Sequence, residues 1–355
     1  MYQTKNILRI LLYIYLFIFI TACSSENKEY VSIPENPLLE FTVPANFPEP
    51  SYNISLNPPT KKGFELGKKL FYDGKLSSDG VISCGFCHLQ DFAFTHHTHI
   101  VSHGVDGALG TRNAQPLHNL AFMNEFTWDG AASHLDLQPI IPITAAVEMN
   151  ETFASVITKL EETPEYVELF AAAFDNQQIS TDNILKALSQ FTIMMISANS
   201  KYDKIERNEG TVFTDDEAAG LELFTAKCAS CHSGTLFTDQ SYRNNGLSID
   251  PQYNDVGRNR VTGLASDLYK FKVPSLRNIE LTFPYMHDGR LKTLEDVLNH
   301  YNTGIVDSET LDPIFKNATS TIGISLSEIE KQQIIAFLKT LTDDTFLNDS
   351  RFSEF

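Results

Sequence analysis

The stretch SCGFCHLQ, residues 83–90, sets two cysteines two residues apart and a histidine directly after the second; KCASCHSG, residues 227–234, repeats the arrangement. The second motif follows the first by 144 positions (84 to 228, 88 to 232). The 355-residue chain has five cysteines, so the two motifs take all but Cys23. Around each motif the order of segments is the same: helix, motif, loops, helices. Little residue identity extends beyond the motifs, so the pattern reads as an old internal duplication of an all-α unit with long irregular loops.

The helix signals are local. Thr60 caps a helix predicted over Lys61–Tyr72, with Phe64, Leu66, Leu70 and Phe71 apolar. Helices are expected at about 151–161, 164–174 and 181–198, the second opened by an N-cap threonine and a first-turn proline, Thr163-Pro164. Thr214 with Glu217 forms a capping box at the head of a helix that runs into Cys228. Thr293 opens a short helix closed near Gly304, and Ser325 with Glu328 opens the last, to about Leu341. Residues 104–150, rich in Gly, Asn and Pro, read as irregular.

The chain begins MYQTKNILRILLYIYLFIFITACSS, with Lys5 and Arg9 ahead of an apolar run too short to span a membrane. The run ends in Ile20-Thr21-Ala22-Cys23, which resembles a bacterial lipoprotein cleavage box. Residues 1–22 are therefore expected to be a lipoprotein signal peptide and Cys23 a lipidated first residue, anchoring an exported protein to a membrane of the cell envelope, on the periplasmic side. Residues 23–58 read as a tether and N-terminal strap, 59–205 and 206–345 as two domains, and 346–355 as a C-terminal tail. The formal charge is −18 and the pI about 4.9, which argues against nucleic acid as a partner and suits a small basic protein.

Export exposes thiols to oxidising conditions, so two short cysteine pairs need a use. Cys-x-x-Cys-His is the attachment signature of a c-type haem. Each thiol adds to a vinyl group of the porphyrin, and the adjoining histidine ligates iron. Cys84, Cys87 and His88 would hold one haem c, and Cys228, Cys231 and His232 another, making two cytochrome c-like haem domains. A Cys₄ zinc site would bring its pairs to within roughly 15–20 residues in sequence. A thioredoxin-like pair would need a strand–helix context. The tract THHTHIVSH, with His96, His97, His99 and His103, reads as a solvated loop in preference to a separate metal site.

With both motifs placed, the sequence resembles the bacterial dihaem cytochrome c peroxidase family, whose relatives include dihaem enzymes that mature a tryptophan-derived quinone cofactor. The likeness covers about residues 59–345 and rests on LGKKLFYDGKLSSDGVISCGFCH, GTRNAQPLHNLAF, FTWDGAASHLDLQPIIPITAAVEMN and FKVPSLRNIELTFPYMHDGRLKTLEDVLNHYNTG, with the second haem motif. It implies a peroxidatic N-terminal haem domain and an electron-transfer C-terminal one. It implies that Trp128, the only tryptophan, relays electrons between haems, and that Gln138 and Glu148 stand over the N-terminal haem, where peroxide cleavage needs a proton moved between oxygens. It implies a calcium ion joining the domains through Asn113, Thr282 and Pro284. It allows a homodimer, which many relatives form.

Two positions depart from the classical members. The histidine that blocks the N-terminal haem in many of them is replaced by Val105, with His103 two residues away. The methionine that ligates the C-terminal haem is replaced by Tyr301, as in the cofactor-maturing relatives, with His300 and Met286 as rivals. The favoured function is reduction of hydrogen peroxide to water with electrons from a small cytochrome c or cupredoxin. The alternatives are oxidation of a protein or organic substrate through a high-valent haem, and electron transfer or redox sensing without turnover.

Overall fold

The computed structural model describes residues 35–316 and 322–354; the expected leader and the lipidated Cys23 lie outside these residues. Six longer helices carry the architecture: α1 (Lys61–Tyr72), α2 (Phe153–Glu161), α3 (Pro164–Ala173), α4 (Thr181–Thr192), α5 (Asp215–Lys227) and α6 (Glu328–Lys339). The strand content among the described residues is one antiparallel pair, β1 (Tyr242–Arg243) with β2 (Phe271–Lys272), in which Tyr242 faces Lys272 and Arg243 faces Phe271. No helix among them is long and apolar enough to cross a membrane.

Most of the buried apolar side chains fall into two clusters. The first includes Leu66, Leu70 and Phe71 of α1 and Ile184, Leu188 and Phe191 of α4. The second includes Phe224 of α5 with Ile334, Phe337 and Leu338 of α6. The helix pairs meet in the same way. A Cβ on Gly67 would overlap the Ala187 carbonyl and lie 2.9 Å from Phe191 Cβ; a Cβ on Gly220 would overlap the Gln333 carbonyl and lie 2.9 Å from Phe337 Cβ. Each crossing needs glycine because one backbone rests directly on another, with a buried phenylalanine one turn further on.

The strap lies on the first core through Leu39, Phe41, Val43, Phe47 and Ile54, and the last residues return to the same core through Phe346 and Phe352. A fully buried ion pair stands beneath the strap. Arg277 donates from both terminal nitrogens to Asp203 at 2.8 Å, Asn46 donates to the same carboxylate, and Phe47 lies 4.5 Å from the guanidinium. Burial alone would raise the Asp203 pKa; the Arg277 bonds outweigh it and hold the carboxyl below its usual value. Breaking a buried pair of this kind costs about 3–5 kcal/mol.

Two helix boundaries and one cap bond differ from expectation. The helix predicted over 181–198 stops at Thr192, because Asn119 captures the following backbone, donating to Met195 O and accepting from Ser197 N. The last helix is capped by Ser327 with Glu330, not Ser325 with Glu328: Ser327 Oγ accepts from Glu330 N, and Glu330 returns the bond to Ser327 N while pairing with Lys227 at 2.6 Å. Thr163 occupies its N-cap position, but its hydroxyl donates backward to Lys159 O.

Candidate active site

Cys84–Cys87 forms one helical turn, and the His88 amide donates to Cys84 O at 2.9 Å. The turn directs the imidazole inward, where Nδ1 lies 2.7 Å from Phe94 O. A carbonyl can only accept, so Nδ1 carries the hydrogen and Nε2 is left with its lone pair. Around the second motif, His232 N donates to Cys228 O at 3.0 Å and His232 Nδ1 donates to Phe237 O at 3.1 Å. Burial holds both imidazoles neutral, His88 down to about 4 and His232 below its ordinary value. A buried neutral imidazole with a free Nε2 is what an iron ligand requires.

All four motif cysteines are free of disulfides. Cys84 packs against the first core and Cys228 against the second, so the pairs serve separate places. No group of three or more His, Cys, Asp or Glu is gathered for a metal ion among the described residues. The histidine tract is not the solvated loop expected: His96 is buried, and the rings of His96, His99 and His103 lie 4.1–5.6 Å apart, centre to centre.

A cavity of about 570 Å³ opens behind the first motif, lined by Cys84, Cys87, His88, Trp128, Gln138 and Glu148 among others. The volume is in the range of cofactor sites, about 300–1,000 Å³. Apolar Phe71, Ile143 and Leu188 also line it. Residues up to 64 positions apart in sequence (84 to 148) thus meet at one space with two thiols, a free imidazole nitrogen, a carboxyl and an amide. That set fits a haem held through thioethers, with polar groups left over for its ligand.

Burial pushes the Glu148 carboxyl above its ordinary pKa, against a hydrogen bond from Ser102 Oγ at 3.0 Å. The segment beside it is pinned. Ser102 N donates to Arg112 O at 3.0 Å, Gly104 N to Ala108 O at 2.8 Å, and Val105 N to Glu148 O at 2.8 Å. Val105 is buried there, while the His103 ring turns to His99 at 4.3 Å. His103 also lines the cavity.

Trp128 Nε1 donates to Asn113 O at 2.9 Å, and Asn113 N donates to His287 O at 2.7 Å. Trp128 and His287 are counterparts. Phe126–Ala132 (FTWDGAA) and Tyr285–Leu291 (YMHDGRL) are closed by equivalent backbone bridges, with Thr127 at φ 70° and Met286 at φ 75°. Upstream, Asn119 at φ 60° and Asn278 at φ 57° occupy the same offset, 159 positions (126 to 285, 119 to 278). The duplicated PLHN…WDG and SLRN…HDG carry this signal in the sequence, although few identities mark it.

Tyr301 lies in a π-helical turn, His300–Gly304, that extends the short helix Leu294–Asn299. Burial raises its pKa, and the thiols of Cys228 and Cys231 add to the rise, so the phenol lies close to the second motif. Asn245 Nδ2 lies 3.5 Å from Tyr301 Oη and 3.3 Å from Met286 Sδ. His300 is committed elsewhere, with Nε2 at 3.1 Å from Asn245 O. Of the residues expected at a calcium ion, Asn113 spends its amide nitrogen on His99 O and Ile100 O, which leaves Oδ1 as its outward acceptor; Thr282 is buried and Pro284 follows a cis peptide bond. Ser102 and Asn245 were not singled out from the sequence, since each gains its role from a residue more than 40 positions away.

Residues 61–211 match the di-haem cytochrome c peroxidase family. The chain is 33% identical over 333 residues to methylamine utilization protein MauG of Methylorubrum extorquens, covering 91% of this chain and 90% of that one. It is 35% identical over 283 residues to cytochrome c551 peroxidase of Nitrosomonas europaea, covering 79% and 80%. Among solved structures, a MauG-like protein associated with microbial copper homeostasis superposes with a TM-score of 0.79 at 33% identity, over 89% of this chain and 99% of that one.

Proposed function

This chain belongs to the di-haem cytochrome c peroxidase family, and from that premise we propose how its residues divide the reduction of hydrogen peroxide to water. It is an oxidoreductase with two haems c. The single observation that carries the division is the cavity behind Cys84, Cys87 and His88, which also contains Gln138 and a half-buried Glu148 whose pKa is raised. Haem held by the thioethers and by His88 Nε2 would supply the iron at which peroxide is cleaved, and haem at the second motif the ring that takes in electrons. Glu148 would accept a proton from one oxygen of the peroxide and return it to the other, the transfer that lets water leave. Gln138 orients the peroxide through its amide. Ser102 holds the Glu148 carboxyl in place. Burial raises the pKa of this carboxyl and so makes it a better acceptor of the peroxide proton.

The two haem domains are taken as 59–205, peroxidatic, and 206–345, electron-accepting; the two apolar clusters support that division. Trp128 passes electrons toward the first haem, supported by its bond to Asn113 O and the Asn113 bond to His287 O. Tyr301 would ligate the iron of a haem held at the second motif, supported by its closeness to Cys228 and Cys231. A calcium ion at Asn113, Thr282 and Pro284 joins the two parts. The donor is a small cytochrome c or cupredoxin, and the acidic chain favours a basic one. Export and anchoring at Cys23 follow from the leader sequence. Oxidation of a protein or organic substrate is the second reading, favoured by Tyr301 and by Val105 in place of a blocking histidine.

The test is steady-state peroxide consumption by the holoenzyme, with a reduced small cytochrome or cupredoxin as sole donor. Turnover that scales with donor and is lost in Glu148→Gln fits the proposal. Donor-independent oxidation of an added organic or protein substrate, with no donor-linked peroxide loss, supports the second reading instead.

A further inference from the structure

We propose that Asn245 is a positioning residue that sets the donor strength of Tyr301 toward the second haem; the inference rests on Tyr301 being that haem's sixth ligand. The amide is not free to turn. Its Oδ1 accepts from Leu247 N at 3.2 Å, and its backbone carbonyl accepts from His300 Nε2 at 3.1 Å. The residues on either side are fixed as well. Asn244 Nδ2 donates to Ser308 Oγ and Thr310 Oγ1, Gly246 N donates to Asn244 Oδ1, and Val306 N donates to Gly246 O. With Oδ1 committed, Nδ2 must point the other way, where it meets Tyr301 Oη and Met286 Sδ.

The chemistry of the two acceptors is unequal. A thioether sulfur is a weak acceptor, whereas a phenolate oxygen takes a charge-assisted hydrogen bond. A donor held at this point therefore favours oxygen ligation over sulfur. It also draws negative charge away from iron, which makes the phenolate a weaker donor and raises the potential of the second haem relative to an unassisted tyrosinate. The same residue removes His300 from competition, because its backbone carbonyl holds the imidazole nitrogen that would otherwise be free. One residue thus acts on all three candidate ligands.

The experiment uses the full-length holoprotein, with a redox titration and the ferric spectrum of the second haem as readouts. Tyr301→Phe comes first: loss of the low-spin signal assigned to the second haem establishes the ligand. Asn245→Leu removes the donor, and Asn245→Ser withdraws it from Tyr301, because the shorter hydroxyl no longer spans the gap while its oxygen can still accept from Leu247 N and protect the loop. Both should lower the second haem's potential, corresponding to about a tenfold gain in ferric over ferrous preference, and leave the first haem's spectrum unchanged. Asn245→Gln, which returns an amide, should recover part of the shift. If Tyr301→Phe changes the spectrum but both donor-free variants keep the wild-type potential, the role of Asn245 is overturned and Tyr301 ligation stands. If Tyr301→Phe changes nothing, the ligand assignment itself is wrong and the inference falls with it.

Discussion

The two Cys-x-x-Cys-His sites are built on one plan and diverge on the side away from the motif. Both tie the motif histidine through Nδ1 to a phenylalanine carbonyl, Phe94 in one and Phe237 in the other. Both stand beside a glycine-dependent helix crossing, at Gly67 and Gly220. Both are accompanied by a D-G turn with a positive-φ residue after its aromatic. The difference lies in what stands across from each motif. The first site has a cavity with Glu148 and Gln138; the second has Tyr301, hydrogen-bonded by Asn245. A repeated scaffold thus carries two different surroundings, and in the proposed division a handful of side chains outside the repeat separates catalysis from electron entry.

The widest break in the comparison is removal of one haem. Cys84→Ser with Cys87→Ser should lose one covalent haem by mass spectrometry, keep the other, and abolish peroxide turnover. Extractable haem in the unaltered protein would dissolve the symmetry altogether. Next in size, Glu148→Gln should lower peroxide turnover by about 10²–10⁴-fold with both haems retained. A loss below about threefold would make Glu148 structural and leave the two sites chemically alike.

Much of this symmetry was legible from the sequence, and the reason is local chemistry. The motifs, the Thr60 cap and the Thr214–Glu217 capping box are set by residues within a few positions of one another. The asymmetry was less legible. Ser102 acts on Glu148 from 46 positions away and Asn245 on Tyr301 from 56. The helix end at Thr192 depends on Asn119, and the Ser327 cap gains from Lys227 through Glu330. The C-terminal residues read as a tail because two phenylalanines do not announce which core they join; Phe346 and Phe352 join the first.

Gly67→Ala and Gly220→Ala sharpen the structural half of the comparison. Each added methyl meets backbone, so each should cost about 1–3 kcal/mol of stability, read as a lowered thermal midpoint. Equal losses fit equivalent crossings; a loss confined to one would show that the crossings differ. A smaller effect is expected from pH. Glu148 must be ionised to accept the peroxide proton, and its pKa is raised above 4.5 by burial. Peroxide reactivity should therefore fall as pH drops through that raised value. Ser102→Ala removes a bond that favours the charged form, so the acid limb should move to higher pH, by under about one unit. A limb that stays in place would detach Ser102 from the proton step.

The most direct test of the division between an open site and a closed one is the spectrum of the resting, all-ferric protein before and after peroxide. Val105 has no lone pair for iron, and its segment is held by the bonds of Gly104 and Val105 to Ala108 and Glu148. The expected result is one high-spin and one low-spin haem, immediate reaction with peroxide without prior reduction, and little change in His103→Ala. Two low-spin haems at rest, one of them released by His103→Ala, would contradict it and make this a peroxidase that must be reduced before it opens.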